Sequence, residues 1–155
     1  GKASGGFGRG GIRLIADLVC TGRPLFAYGS LMFPEIIRSV IGRVPEGRPA
    51  VIQSYRRLVV AGESFPGMIK VGESDERVEG LVYMDITSEE WKRIIAFEDE
   101  FYELTEVAVS RLGENLSALA FVVPPAKKSL LAQEQWHPDY FRKHHLGPLR
   151  AETNR

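Results

Sequence analysis

The chain has 155 residues, of which 44% are hydrophobic, and 20 basic side chains balance 20 acidic ones. This length predicts one domain with a core large enough to fold without disulfides, and the lone Cys20 agrees with a reducing cytoplasm. Zero net charge argues against nucleic acid as a partner, and without any apolar run of about 20 residues we expect a soluble protein that does not enter a membrane.

The first residues differ in composition from the rest of the chain. Six of the first 11 residues are glycine, so we expect a processed or engineered end and a flexible tail over residues 1–11. A single domain is then predicted over residues 12–155. The pattern assigns no place to the short apolar segment 12–19.

The first predicted elements are a strand, a turn and a helix. Leu25–Tyr28 is predicted to be a strand that ends at Gly29. Pro34 suits the first turn of a helix and Gly42 suits its end. The apolar residues between them fall on one face, as in a short amphipathic helix: Ile36, Ile37, Val40 and Ile41.

The middle of the chain is predicted to be strand. Residues 50–61 alternate imperfectly, which indicates a long or bent strand, and residues 68–71 indicate a second one. Residues 78–86 alternate cleanly, as in a strand that has one buried face.

A helix and two strands are predicted next. Thr87 and Glu90 form a capping box, in which each side chain can bond the backbone N–H of the other, so a helix should begin here. Residues 104–112 and 116–123 are predicted strands joined by a turn at 113–115. The second strand is apolar on both faces, which is typical of a barrel or a sandwich.

A final helix is predicted over Gln133–His145, where it would present Trp136, Tyr140 and Phe141. Five or six strands with three helices between them indicate an α+β fold. We favour a small mixed β-barrel with peripheral helices, because so few helices would not cover both faces of an open sheet.

The turn after the first strand is the first candidate site. It lies in the segment Phe26–Met32, where the predicted strand stops at Gly29 just before a helix. Successive backbone N–H groups of such a turn can point into one concavity that suits a carboxylate or another oxyanion, and Gly29 leaves room for a ligand. A plain structural turn is the commoner meaning of this pattern. Ser30 as a nucleophile is disfavoured, because it lacks the Gly-x-Ser-x-Gly setting.

Glu98 is the second candidate. It falls on the apolar face of the preceding helix if that helix continues so far. Burial and the like charges of Asp99 and Glu100 would then raise its pKa toward the range useful for proton transfer. Residues 73–106, with 12 acidic and 3 basic side chains, would favour the same shift. Alternatively, the helix ends after Phe97 and all three carboxylates are solvated.

The three histidines do not predict a metal site. His137, His144 and His145 lack the i, i+4 spacing of metal ligands, and no cysteine accompanies them. A solvated helix end is the favoured interpretation.

Three segments together resemble the γ-glutamylcyclotransferase-like superfamily, in the branch named for plant avirulence-induced genes. They are Tyr28-Gly29-Ser30-Leu31, Val78–Tyr83 and Phe97–Tyr102. The resemblance extends over residues 25–123 and, more weakly, over 136–146. It implies a small β-barrel with peripheral helices and a cavity at the loop after the first strand.

The resemblance also implies a reaction. In such families the loop that corresponds to Tyr28–Leu31 binds the glutamyl end of a small γ-glutamyl substrate, and the Glu that corresponds to Glu98 is the catalytic acid and base. The α-amine attacks the γ-carbonyl and releases 5-oxoproline and an amine or amino acid, without metal or cofactor. Many relatives have Asp and Arg where this chain has Ala96 and Leu104.

Two other functions stay open from the sequence. The same barrel can serve as a non-catalytic ligand-binding or protein-interaction module. It can also act on a different amide, for example a γ-glutamyl protecting group in biosynthesis. The sequence assigns neither the leaving amine nor the oligomeric state.

Overall fold

The structure is a computed structural model that describes Cys20 and residues 22–146. The predicted tail 1–11 and the segment 12–19 lie outside these residues. The strands are β1 (Leu25–Ala27), β2 (Gly47–Gln53), β3 (Tyr55–Val60), β4 (Pro66–Lys70), β5 (Arg77–Tyr83), β6 (Glu103–Arg111), β7 (Glu114–Val122) and β8 (Leu131–Gln135). The α-helices are α1 (Pro34–Ile41), α2 (Ser88–Phe97) and α3 (Pro138–Phe141), with 3-10 turns at Ser30–Met32 and Pro125–Leu130 and a π turn at Arg142–Leu146.

Five of the strands close into a barrel in the order β1-β5-β2-β6-β7. The pairs are antiparallel except β1 with β7, which run parallel and meet at Leu25 and Leu119. A separate sheet has the order β4-β3-β8. The predicted mixed barrel with peripheral helices is therefore confirmed.

Local signals fix several elements as predicted. Helix α1 begins at Pro34 and ends on Gly42, whose φ of 87° is left-handed. The capping box of Thr87 and Glu90 is formed at the start of α2. Strands β6 and β7 are joined, but by the two residues Leu112 and Gly113, both with positive φ, as a tight hairpin requires. The turn predicted over 113–115 is corrected accordingly, since Glu114 and Asn115 belong to β7.

The segment 50–61 is two strands that belong to different sheets. Ser54, with a φ of 65°, separates β2 in the barrel from β3 in the second sheet. The single long or bent strand is thus corrected: the backbone turns here so sharply that the chain leaves one sheet for the other.

The predicted final helix over 133–145 is wrong in its first part. Residues 131–135 form β8, because the edge of β3 offers backbone partners to them. Proline suits the first turn of a helix, and α3 accordingly begins only at Pro138. Two of the three aromatic residues expected on the apolar face of this helix, Trp136 and Phe141, pack with Phe33. The third, Tyr140, is 58% exposed.

Strand β1 is buried on both faces, so it lies between two parts of the core. Phe26 belongs to a cluster with Val82 of β5 and Val109 of β6. Leu25 and Ala27 belong to another cluster with residues of α1 and α2. None of the helices within the described residues is long and apolar enough to cross a membrane.

Gly80 of β5 is required by its contact with β1. A methyl group at position 80 would run into the carbonyl oxygen of Ala27 and would lie 2.9 Å from the Phe26 ring. We expect Gly80→Ala to lower the free energy of unfolding by about 1–3 kcal/mol, the usual cost of overpacking. Urea denaturation measures this change. The matched control is Gly72→Ala, because position 72 has open space around it; equal midpoints for the two variants would contradict the steric argument.

Candidate active site

A cavity of about 270 Å³ opens where β1 ends. Its wall is formed by the end of β1, the following turn, the start of β4 and the segment after α2. The lining residues are Leu25, Phe26, Ala27, Tyr28, Gly29, Ser30, Leu31, Phe65, Pro66, Phe97, Glu98, Asp99, Tyr102 and Phe121. All five residues singled out in the sequence, Tyr28, Gly29, Ser30, Leu31 and Glu98, are therefore brought together.

The four carbonyl groups of the turn 28–31 all accept internal hydrogen bonds. Arg57 Nη1 donates to the carbonyl of Tyr28 over 2.9 Å, and the hydroxyl of Tyr83 donates to that of Leu31 over 2.7 Å. The carbonyls of Gly29 and Ser30 accept from the next two backbone amides, Met32 and Phe33. The acceptors of the turn are thus occupied by the protein itself.

The backbone N–H groups of Ser30 and Leu31 have no acceptor among the described residues. They begin a 3-10 turn whose own bonds use later amides, so they remain available to a ligand. A turn with occupied carbonyls and available amides presents donors to the cavity, which suits an oxyanion.

Gly29 is needed for space inside the protein. Its φ of −128° is open to any residue. A Cβ at this position, however, would lie 2.9 Å from Cγ of Pro66 on β4. The absence of a side chain at Gly29 thus allows the turn to pack closely against Pro66 of β4, at the wall of the cavity.

Glu98 combines features of both alternatives raised by the sequence. Helix α2 ends at Phe97, and Glu98 adopts an extended conformation, although its N–H still donates to Ile94. The side chain is nevertheless only partly accessible and lines the cavity. The helix therefore ends after Phe97, as in the second alternative, but the Glu98 carboxyl group is not fully solvated.

The surroundings of Glu98 disfavour its ionised form. Burial, followed by the nearby charge of Asp99, raises the pKa of Glu98 to about 8. Burial and then the charge of Glu98 raise the pKa of Tyr28 well above its ordinary value. Burial, followed by Tyr28 and Glu98, also raises the pKa of Tyr102. The cavity thus holds two neutral phenols beside a carboxyl group that exchanges protons near neutral pH.

Tyr102, Phe65, Pro66 and Phe121 were not assigned to the site from the sequence. The Tyr102 hydroxyl donates to the carbonyl of Pro66 over 2.6 Å, and that of Tyr28 donates to the carbonyl of Phe121. Of these residues, only Tyr102 lies in a segment that carried the resemblance. The others reach the cavity through long-range packing, which leaves no local pattern.

The three histidines do not line this cavity. They follow β8 at the end of the described chain, where His144 and His145 stack near Tyr140. No group of three potential metal ligands occurs in the part of the chain that the structure describes.

The family assignment agrees with this geometry. The model of the family described as "Gamma-glutamyl cyclotransferase, AIG2-like" matches residues 25–138. The chain belongs to this family. The match includes the turn 28–31, Glu98 and every other residue of the cavity wall.

Similar proteins are found among plant sequences and solved structures. AIG2-like protein C of Arabidopsis thaliana is 33% identical over 100 residues, which are 63% of this chain and 57% of that protein. This chain thus spans little more than half of that relative. A solution structure of an Arabidopsis thaliana protein has a TM-score of 0.66 at 23% identity and covers 85% of this chain and 79% of its own. A structure named gamma-glutamyl cyclotransferase has a TM-score of 0.55 at 16% identity and covers 85% of each chain, a likeness of fold.

Ionisation of Glu98 should oppose folding. Because its pKa is about 8 in the folded protein and near 4.5 otherwise, the folded state holds a proton that the unfolded state has lost between these pH values. Relative to Glu98→Gln, the free energy of unfolding of the wild type should therefore fall by up to about 1.4 kcal/mol per pH unit as the pH rises from 4.5 to 8. Above pH 8 this difference should not grow further. Urea denaturation at several pH values measures this. The exposed Glu114→Gln is the control, and a difference independent of pH would refute the raised pKa.

The hydroxyl of Tyr83 should hold the turn in place. Tyr83→Phe keeps the buried ring but leaves the Leu31 carbonyl without its donor, so we expect a loss of about 1–2 kcal/mol in the free energy of unfolding. Hydrogen exchange of the Met32 and Phe33 amides should become faster, because these amides bond to the same turn. Tyr140→Phe, at an exposed ring, should change neither the free energy of unfolding nor the exchange rates. If the two variants behave alike, the Tyr83 hydroxyl does not stabilise the turn.

Proposed function

We propose that this protein is a γ-glutamyl cyclotransferase that converts a small γ-glutamyl amide into 5-oxoproline and a free amine or amino acid. One observation carries the proposal: a carboxyl group with a pKa of about 8 lies in the same cavity as the turn that presents free amides. Membership of the family supports the reaction class.

Glu98 would move the protons of this reaction. The α-amine of the substrate attacks the γ-carbonyl carbon to form the new C–N bond, and the Glu98 carboxylate accepts the proton that this nitrogen loses. The resulting acid then donates the proton to the departing nitrogen as the old C–N bond breaks. Atoms balance without water or any co-reactant, since the substrate is divided into a ring and an amine.

The turn 28–31 would hold the substrate folded for attack. The glutamyl chain has several rotatable bonds, and fixing it with the amine against its own carbonyl removes much of the entropic barrier. The described lining contains no Lys or Arg, so the amides of Ser30 and Leu31 would bind the α-carboxylate or the carbonyl oxygen that becomes negative.

The apolar wall would help to exclude water. Phe65, Pro66, Phe97 and Phe121 line the cavity beside the carboxyl group. A wall of this kind keeps Glu98 a strong enough base to deprotonate an amine. Water that entered could compete with the amine for the carbonyl carbon.

Glu98→Gln should retain the fold and lose about 10²- to 10⁴-fold in turnover, the usual contribution of a general base and acid. The measurement is 5-oxoproline released from a panel of γ-glutamyl amides, detected by mass spectrometry. The exposed Glu114→Gln is the matched control and should keep full activity. In wild type, kcat/KM should rise with pH through a limb near pH 8, because only ionised Glu98 accepts a proton.

Two results would count against this assignment. An unchanged rate in Glu98→Gln would remove Glu98 from the mechanism. A stable wild-type protein that forms no 5-oxoproline from any substrate would instead favour the non-catalytic module.

A further inference from the structure

A second cavity lies beside strand β3. It has a volume of about 210 Å³ and shares no lining residue with the candidate active site. Its wall is formed by β3, the start of β5 and the end of β8. The lining residues are Tyr55, Arg56, Arg57, Glu76, Arg77, Val78, Gln135, Trp136 and His137. We call this cavity the basic groove.

The charges of the basic groove are unbalanced. Three of its described lining residues are arginines, and Glu76 is the one carboxylate among them. Glu76 forms a two-pronged ion pair with Arg56, with N–O distances of 2.8 and 2.7 Å. With His137 counted as neutral, the formal charge of this lining is therefore +2, although the net charge of the whole chain is zero.

Arg57 is held at the inner wall of the groove without a carboxylate in contact. Its Nη1 donates to two backbone carbonyls, those of Tyr28 and Glu79, and its guanidinium stacks 5.3 Å from the centre of the Trp136 ring. Its Nε is buried and has no acceptor among the described residues. Burial lowers the pKa of Arg57, and the charge of Glu79 only partly opposes this effect.

Unbalanced guanidinium groups around a cavity are typical of sites for oxyanions. A buried or half-buried cation without a carboxylate in contact keeps a desolvation cost that a bound anion offsets. The planar, always charged guanidinium of arginine also matches the geometry of phosphate and carboxylate oxygens. Arg77 is exposed at the rim and has no ion-pair partner among the described residues. Its guanidinium group is therefore available to bind an anion.

We propose that the basic groove is a second ligand site, which binds a small oxyanion with two negative charges, inorganic phosphate or a phosphate monoester. Arg77 and Arg56 contact the anion at the rim, with His137 beside them, and Arg57 supplies positive potential from the inner wall. The volume accommodates a phosphate group and a small organic part. Because Arg57 also donates to the carbonyl of Tyr28, this one side chain connects the groove with the turn of the candidate active site.

The test is a titration of the ¹⁵N-labelled protein with inorganic phosphate at constant ionic strength, with chloride as the balancing ion. We expect saturable shifts confined to the backbone amides of the groove residues and the arginine Nε–H signals. Arg77→Gln should weaken the affinity about tenfold, since one charge-assisted hydrogen bond is lost. Arg38→Gln removes an exposed arginine that lines neither cavity and should leave the affinity unchanged.

Glu76→Gln provides a change of the opposite sign. Removal of this carboxylate frees Arg56 and raises the charge of the lining, so phosphate should bind several-fold more tightly, which a misfolded variant would not do. Glycerol 3-phosphate distinguishes the two sources of the ligand: tighter binding than phosphate assigns a role to the organic part, and equal binding assigns the site to the phosphate group.

The proposal is overturned if neither anion gives saturable shifts, or if Arg77→Gln and Arg38→Gln bind equally well. These measurements do not depend on turnover. A failure of the cyclotransferase assay and a failure of anion binding are therefore separate results.

Discussion

The close pairing of β1 inside the barrel is the constraint on which the rest of the structure depends. This strand has only three residues, yet it contacts β5 on one side and β7 on the other. It fits because Gly80 offers no side chain against the Ala27 carbonyl. Both faces of β1 are buried, and the turn that directly follows this strand lines the cavity.

The electrostatics of the cavity depend on donors that carry no net charge. A Lys or Arg beside Glu98 would lower the pKa of that carboxyl and weaken it as a base. Backbone amides attract an oxyanion through partial charges, so under the proposed function the turn 28–31 would bind a negative group without lowering the pKa of Glu98. Arg57 donates to the carbonyl of Tyr28 in this turn and does not line the cavity. Arg57 lines the basic groove instead.

Local signals made part of this structure predictable. Pro34 and Gly42 bound α1, and Thr87 with Glu90 begins α2, because caps act within a few residues. The left-handed Ser54 has no comparable signal, and β8 is a largely exposed edge strand that pairs with β3. The five site residues predicted from the sequence share the cavity, while the surrounding aromatic wall is assembled by residues far apart in the chain.

The parallel pairing of Leu25 with Leu119 has a consequence for the order of folding. These residues are 94 positions apart, so closure of the barrel carries a large loop-closure entropy and is expected to be slow. During synthesis, β1 and the turn after it emerge early but stay without their β7 neighbour until most of the described chain has been made. The cavity is thus a product of late folding, because Phe121 of β7 forms part of its wall.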